Sequence, residues 1–591
     1  MRVNIGSVVS REATAYLRKW ALIAIAIGVV SGIGAIAFKE LMDLIMEYTL
    51  VKVTGYVPPQ PLGEGGEISF SPMAHPELLP LVLLLGGLLS GIIVYQLAPE
   101  AEGHGTDAVI HAFHRQGGAI RTRVPIVKMI ASSLTIGTGG SAGREGPIAQ
   151  IGAGFGSWLA KVLHLTPRER RIAILCGVAG GLGSIFKAPL GAALFASEVL
   201  YKRDFEFEAL VPTFISAVVA YAVFTIVYGP SHVFAVPNAT FNLAELPVYM
   251  LLGLIMGLAS IAYVKTFYGV HKLFRKLKIR NEFKPAIGAL LTALLGLALP
   301  EVLEVGYGWI QLAILGKLDV ATMFAVGAAK IIATAFTVGS GGSGGVFAPS
   351  LMIGAMLGGG LAKLLDEALG LNLNIAAFTV VGMMSFFSGA GKVPLASMVM
   401  VAEMTGGYDL LIPAMFACAI SYVVSGETSI YVSQVETKAE SPAHVGELSL
   451  EILKLIKVRE VMCRDVVTVR ADDSLERLSE LVRTTGHSGF PVIEDGKLVG
   501  FVTYTDAVRV SRAEWGRLRV RDVMRKPPIV TYPEETLDEV LRKMVLHKVG
   551  RLPVVKSKDD YTLVGLVTRH DIIKGYEEKI EQYEKDVKEI S

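Results

Sequence analysis

Glutamate 145 stands where a carboxylate has no ordinary reason to be. It lies in Gly139-Gly140-Ser141-Ala142-Gly143-Arg144-Glu145-Gly146-Pro147, a glycine-rich break between apolar segments. Inside a bilayer such a break must be buried in protein or line a polar cavity, because its backbone polar groups cannot be left unpaired. Pro147 suits the first turn of a helix, where its missing N–H is no loss. A helix that starts there presents orphan N–H groups and the positive end of its dipole, and both attract anions. A carboxylate beside that end competes with a bound anion. The chemistry offered is reversible anion binding rather than bond making. Close packing through small residues would explain the glycines, but it leaves Glu145 unexplained.

The pattern returns about two hundred residues later as Thr337-Val338-Gly339-Ser340-Gly341-Gly342-Ser343-Gly344-Gly345-Val346-Phe347-Ala348-Pro349. Thr135 aligns with Thr337, Pro147 with Pro349 and Gly152 with Gly354 without a gap. A second echo follows each copy: Gly177 through Lys187-Ala188-Pro189-Leu190 to Glu198 matches Gly382 through Lys392-Val393-Pro394-Leu395 to Glu403. Two ordered matches at nearly one offset indicate an internal duplication, the pattern of transporters built from repeated halves. Two helix N-termini, one from each half, are then placed to meet at one anion.

The elements that must position these residues are helices in a membrane. Hydrophobic residues make up 52% of the 591 and concentrate before about residue 435, which predicts a polytopic all-α membrane domain followed by a water-soluble one. Helices are expected over 20–49, 78–95, 124–136, 147–163, 171–183, 189–201, 208–228, 247–276, 284–300, 318–336, 349–368, 374–388, 393–405 and 410–425. Several fall short of the ~20 residues of a full crossing, so broken and re-entrant helices are expected. Residues 51–76, rich in Pro and Gly, are expected outside the bilayer. Lys202-Arg203 and the basic run His271–Arg280 argue for the cytoplasmic side. The opening residues, with Arg2, Arg11, Arg18 and Lys19 and no small-residue cleavage site, are expected to be a retained amphipathic start and first helix. A formal net charge of +2 points away from nucleic acid. Cys176, Cys418 and Cys463 have neither metal nor disulfide spacing. No nucleophile–base pair beside a polar cleft is discernible, so an enzyme is not expected.

The tail carries its own duplication. Val458-Arg459-Glu460-Val461-Met462 recurs as Val520-Arg521-Asp522-Val523-Met524. Each copy continues with a short strand, a capped helix, a Pro-Val strand and a Gly-led strand that ends in Thr-x-x-Asp, at Thr503/Asp506 and Thr568/Asp571. This predicts two α/β modules at 456–516 and 517–576, a linker at 436–455 and a charged tail at 577–591.

These motifs resemble a known family. Residues 15–435 are similar to the CLC family of chloride channels and proton-coupled chloride transporters, and residues 456–576 are similar to a pair of CBS domains. The carriers of the first resemblance are Gly143-Arg144-Glu145-Gly146-Pro147, Gly345-Val346-Phe347-Ala348-Pro349 and Tyr431. The resemblance implies a homodimer in the cell membrane with both termini cytoplasmic, each subunit holding its own chloride pathway between inverted halves. Glu145 would be the gate. Chloride would be bound by Gly143, Arg144 and Gly146, by Gly345, Val346, Phe347 and Ala348, by Tyr431 and by the loop Gly103-His104-Gly105. Without the resemblance Tyr431 would be read as an interfacial anchor. No cofactor is required for conduction. Thr503, Asp506, Thr568 and Asp571 resemble the elements with which some CBS pairs hold an adenine nucleotide (ATP, ADP or AMP), although a module used only for packing carries the same pattern.

Two positions depart from the family. The run Gly103-His104-Gly105-Thr106-Asp107-Ala108 stands where Gly-Ser-Gly-Ile-Pro-Glu is usual, so His104 replaces a hydroxyl and would hydrogen-bond an anion only if its ring points inward. His104, His111, His114 and Asp107 at near-helical spacing also invite a metal reading, which the Gly turn makes the weaker one. Val199 occupies the position after Glu198 where family exchangers place a proton-carrying glutamate. On that ground the expected function is passive, gated chloride conduction, with chloride/proton antiport as the alternative and a non-conducting anion sensor as the distant one.

Overall fold

The computed structural model describes residues 5–66, 68–237, 239–444 and 452–590. The chain divides into two compact units, Met1–Ala443 and His444–Ser591. Helices of the first unit form two series. The first series is α1 (Ile5–Met46), α2 (Leu79–Leu97), α3 (Thr106–Arg115), α4 (Val124–Gly137), α5 (Glu145–Val162), α6 (Pro167–Ile185), α7 (Pro189–Glu198) and α8 (Leu210–Tyr228). The second is α9 (Leu246–Lys276), α10 (Lys284–Ala298), α11 (Tyr307–Ile314), α12 (Val320–Thr337), α13 (Phe347–Leu369), α14 (Ile375–Gly391), α15 (Pro394–Thr405) and α16 (Leu411–Val424). Among the described residues six helices are long and apolar enough to cross a membrane: Arg18–Thr54, Pro76–Leu97, Phe207–Tyr228, Leu243–Lys276, Val320–Thr337 and Phe347–Leu369. The expected all-α membrane unit with repeated halves and broken helices is what the chain folds into. The short helices α3 and α11, ten and eight residues long, have no counterpart in the helices expected from hydropathy, because neither carries an apolar run long enough to register.

The two series repeat their internal contacts. Helices α5 and α6 touch through Gly152 and Gly177, where a Cβ on either would lie 2.0 Å from the other's carbonyl oxygen; α13 and α14 touch in the same way through Gly354 and Gly382. Lys187 and Lys392 each follow a helix with left-handed φ of 53° and 57°. Lys187 Nζ donates to the carbonyl of Tyr228 at the end of α8, and Lys392 Nζ to that of Tyr422 in α16. These ammonium groups satisfy helix-end carbonyls that the bilayer would leave unpaired.

Glu198 and Glu403 complete the symmetry across the repeat. Glu198 accepts from the N–H groups of Leu395 and Ala396 at the start of α15, at 3.1 and 2.7 Å. Glu403 accepts from Leu190 and Gly191 at the start of α7, at 3.2 and 2.7 Å. Each carboxylate caps the helix that carries the other, which joins the halves. Charge-assisted bonds of this kind contribute about 1.5–3 kcal/mol each. Glu198→Ala should therefore lower the thermal midpoint of the detergent-solubilised protein by several degrees, whereas a midpoint equal to that of the wild type would show that the caps are replaceable.

The first unit does not stop at residue 435. Lys438 N–H donates to Asp204 at 2.8 Å, Ser441 Oγ lies 2.7 Å from His114 Nδ1, and Arg171 donates to the carbonyl of Ala443 at 3.1 Å. Residues 436–443, expected as linker, are thus held by polar groups on α3, on α6 and in the segment between α7 and α8, while 445–451 lie outside the described residues.

In the second unit β1 (Val469–Arg470) pairs in parallel with β2 (Gly489–Glu494), which pairs antiparallel with β3 (Lys497–Thr503); β4 (Arg551–Val555) pairs antiparallel with β5 (Leu563–Thr568). The module boundaries expected at 456–516 and 517–576 are crossed. Leu453, Ile456 and Val458 pack with Leu537, Val540, Leu552 and Val567 of the later module. Conversely Val520 and Met524 pack with Val469, Leu475, Phe490 and Val502 of the earlier one. Backbone pairing enforces the exchange: Val458 N–H donates to Glu535, Leu537 N–H to Ile456, and Val520 N–H to Asp473. The hydrogen bond from exposed Lys457 also draws the Glu534 carboxyl below its ordinary range.

Candidate functional site

The site forms where the two glycine-rich breaks meet. Gly143 N–H donates to the carbonyl of Gly345 at 2.8 Å, and Gly345 N–H returns the bond at 2.6 Å, an antiparallel bridge that locks the loops together. Helix α5 starts at Glu145 and α13 at Phe347, so Pro147 and Pro349 fall in first turns, where they cost no hydrogen bond. The Glu145 side chain is buried and its Oε1 accepts from the N–H of Phe347, with the Ala348 amide beside it. The carboxylate therefore occupies the positive end of α13, the position a bound anion would take. Both glycines are required for this. A Cβ on Gly143 would lie 2.0 Å from Glu145 Oε2, and one on Gly345 would lie 2.0 Å from Oε1. Val346, at the N-cap, contributes a carbonyl that accepts from Tyr263 Oη at 3.3 Å and Ser350 Oγ at 2.6 Å.

The third loop packs against the first. Gly103 and Gly105 have φ of 68° and 81°, and the carbonyl of His104 abuts Gly146 so closely that a Cβ there would lie 1.6 Å from the oxygen. Behind this loop the buried Lys128 donates to the carbonyls of Ala101 and Gly103, at 3.0 and 2.7 Å. Its counterpart Lys330 donates to Val302 and Glu304, at 3.0 and 2.8 Å. Sequence reading passed over both lysines. Their signal was a lone ammonium in each apolar run, Val124–Gly137 and Val320–Thr337, a placement that in a membrane marks function or a buried partner.

Tyr431 is also buried, and its ring meets those of His104, Phe195 and Phe387 at centroid distances of 5.4, 6.5 and 6.5 Å. Its hydroxyl has no protein hydrogen-bond partner, and neither do His104 Nδ1 and Glu145 Oε2. Three buried polar atoms on three segments are thus left without a protein partner, each a place for a polar occupant.

Two cavities approach this region and share no lining residue. One is a chamber of about 750 Å³ bordered by Glu102, His104, Asp107, His111, His271 and Ser433. The other, about 60 Å³, is bordered by Lys39, Glu64, Arg144, Glu304 and Tyr307. Arg144 was expected among the anion ligands, but its guanidinium is committed elsewhere: it pairs with Glu64 and lies 4.9 Å from the Tyr307 ring centroid. Glu64, in the Pro- and Gly-rich loop, was not singled out from sequence.

Asp107 and His114 also have other partners. Asp107 accepts from the N–H and Oγ of Ser433, at 2.8 and 2.7 Å, and His114 Nε2 meets the carbonyl of Leu200 at 2.9 Å. Val199 is buried just past the end of α7, and its carbonyl accepts from Gln434 Nε2 at 3.0 Å. In the second unit Thr503 and Asp506 form a reciprocal cap, Thr503 Oγ1 donating to Asp506 Oδ2 at 2.6 Å while Asp506 N–H returns a bond to Oγ1. Thr568 and Asp571 repeat it. Each cap uses only Oδ2 of its aspartate.

Residues 86–426 match the family model described as voltage gated chloride channel, and residues 458–513 and 520–578 match that of the CBS domain. A putative chloride channel protein ClcB-like of Ralstonia nicotianae is 31% identical over 363 residues, covering 59% of this chain and 84% of its own. An H(+)/Cl(-) exchange transporter ClcA of Yersinia pseudotuberculosis is 28% identical over 418 residues, covering 67% and 82%. The crystal structure of a slow cyanobacterial Cl-/H+ antiporter superposes with a TM-score of 0.62 at 22% identity, covering 70% of this chain and 96% of that one.

Proposed function

The chain belongs to the CLC family of voltage-gated chloride channels and transporters and carries a CBS pair in its tail; from that premise we propose that it exchanges chloride for protons across the cell membrane as a homodimer, with both termini cytoplasmic. The observation that carries the reading is the buried Glu145 carboxylate on the Phe347 N–H, with its neighbour Arg144 lining one cavity and the loop packed on Gly146 lining another. An ionised carboxylate holds that position against chloride, and a protonated one has little electrostatic reason to stay. One group thereby binds either a proton or the anion's place, which links the two movements. Among named relatives, an exchange transporter of 28% identity supports the same reading. Passive conduction, expected from Val199, rested on one absent carboxylate, and the chamber supplies other titratable groups.

Chloride would be held by the amides of Phe347 and Ala348, by Tyr431 Oη and by His104, with the loop glycines Gly103, Gly105, Gly143, Gly146 and Gly345 permitting the approach. Reversal potential in reconstituted bilayers tests the proposal. With a fixed chloride gradient, imposing a pH gradient should shift the reversal potential, and chloride flowing down its gradient should drive protons uphill. A reversal potential that follows chloride alone at every pH would restore the channel reading.

A second part of the proposal is an adenine nucleotide at the CBS pair, favoured by the carboxylate oxygens Oδ1 of Asp506 and Asp571 that the caps do not use. Titrating ATP, ADP and AMP into the purified full-length protein should give saturable heat with at least one of them. No heat with any would leave Thr503, Asp506, Thr568 and Asp571 as helix caps alone. A nucleotide that alters transport must bind two states of the protein with different affinity.

A further inference from the structure

For Glu145 to exchange protons with the 750 Å³ chamber, a proton must cross the buried layer between them. Among acids near that layer, Glu198 is unsuited: both of its oxygens accept from backbone N–H groups of α15. Asp107 is held by Ser433, and His271 Nδ1 lies against the carbonyl of Gly339 at 3.1 Å. Both border the chamber and not the layer beyond it. His104 is different. The residue borders the chamber, yet it is only 7% exposed, its Nδ1 has no protein partner, and its backbone is pressed against Gly146, next to Glu145. Its ring contacts that of Tyr431, whose hydroxyl lies within electrostatic reach of Glu145.

We propose that His104 carries protons between the chamber and Glu145, so that protons and chloride share the inner part of their route. The inference rests on the exchange reading above. Imidazole is suited to the task because it takes up and releases a proton near neutral pH. In the inward step the neutral ring takes one proton from the chamber and becomes imidazolium. It then gives that proton to the Glu145 carboxylate, past Tyr431 Oη, leaving a neutral ring and a neutral carboxyl, and the total charge is unchanged. The charged and titratable groups around the ring are Asp107 from α3, Lys128 from α4 and His271 from α9, with Tyr431 in ring contact and Glu145 acting in turn on the Tyr431 hydroxyl. Burial opposes the imidazolium most, Asp107 favours it, and Lys128 and His271 oppose it, so the charged form would be short-lived and pass its proton on. An anion bound beside the ring would favour the charged form, which ties proton uptake to chloride occupancy.

The test is the number of protons moved per chloride, read from reversal potentials of reconstituted full-length protein, a ratio independent of how fast either ion moves. His104→Gln retains a hydrogen-bond donor of similar reach but cannot relay a proton at these pH values. It should cut chloride-driven proton movement relative to chloride by about a hundredfold, the lower end of what a positioned proton-transfer group contributes. His104→Asn serves as the second variant if the glutamine protein does not fold. A variant with wild-type protons per chloride but altered preference among chloride, bromide and nitrate would overturn the proposal and leave His104 as an anion ligand only. If the wild type itself moves no protons, the exchange reading fails, and that result is separate from any effect of the substitution.

Discussion

Glu145→Gln should abolish proton movement coupled to chloride while chloride still crosses, at a rate that no longer depends on pH. In the wild type the carboxylate occupies the amide end of α13 while ionised, so chloride transport should increase as pH falls and the fraction of neutral carboxyl grows. Glutamine is neutral at every pH. It matches the protonated side chain in shape and has no charge to hold it against chloride. The reversal potential of the variant should follow the chloride gradient alone. Glu145→Ala should do the same and empty the position as well. A variant that folds normally and keeps the pH dependence of the wild type would place the gate at another carboxylate, with Glu64 beside Arg144 the first to examine.

Gly345→Ala should displace the same carboxylate by steric means. The backbone there is not left-handed, so an L side chain is tolerated conformationally, and the three atoms nearest to the new Cβ all belong to Glu145: Oε1 at 2.0 Å, Cδ at 2.3 Å and Oε2 at 2.7 Å. Real Cβ atoms do not approach so near, so the flexible end of Glu145 must leave the Phe347 N–H. Chloride transport at high pH, where the wild type is most occluded, should increase several-fold. Because both changes act on one contact, combining Gly345→Ala with Glu145→Ala should add little beyond Glu145→Ala alone, as coupled neighbours do. Full additivity in transport assays would mean that the alanine acts elsewhere in the loop.

The features that sequence made legible were those written twice. The bridge between Gly143 and Gly345, the first-turn prolines and the paired carboxylates Glu198 and Glu403 all lie where the duplicated motifs align. Residues that act once, across a long stretch of chain, were not legible. Glu64 lies in a loop without periodicity and finds Arg144 eighty residues away. The Arg144 backbone lies in the anion loop as the motif places it, but that its guanidinium turns to Glu64 and to Tyr307 could not be read from the motif. Val199 is a different case. An apolar residue at a position that can carry an acid reports what that side chain cannot do, whereas proton access depends on every titratable group around the chamber.

The crossed modules of the tail set a schedule for its synthesis. As the chain leaves the ribosome, Leu453, Ile456 and Val458 emerge long before Leu552 and Val567, the residues that bury them. At about 5–20 residues per second, that interval lasts roughly 5–20 s. Over most of it the earlier module also lacks Val520 and Met524 from its core. The earlier core can close only once Val520 and Met524 have emerged, and the later one must wait further, for Leu552 and Val567. A chain arrested before Val520 therefore carries two open apolar surfaces, and one arrested before Leu552 still carries that of Leu453, Ile456 and Val458, forms that quality-control proteases and chaperones would recognise.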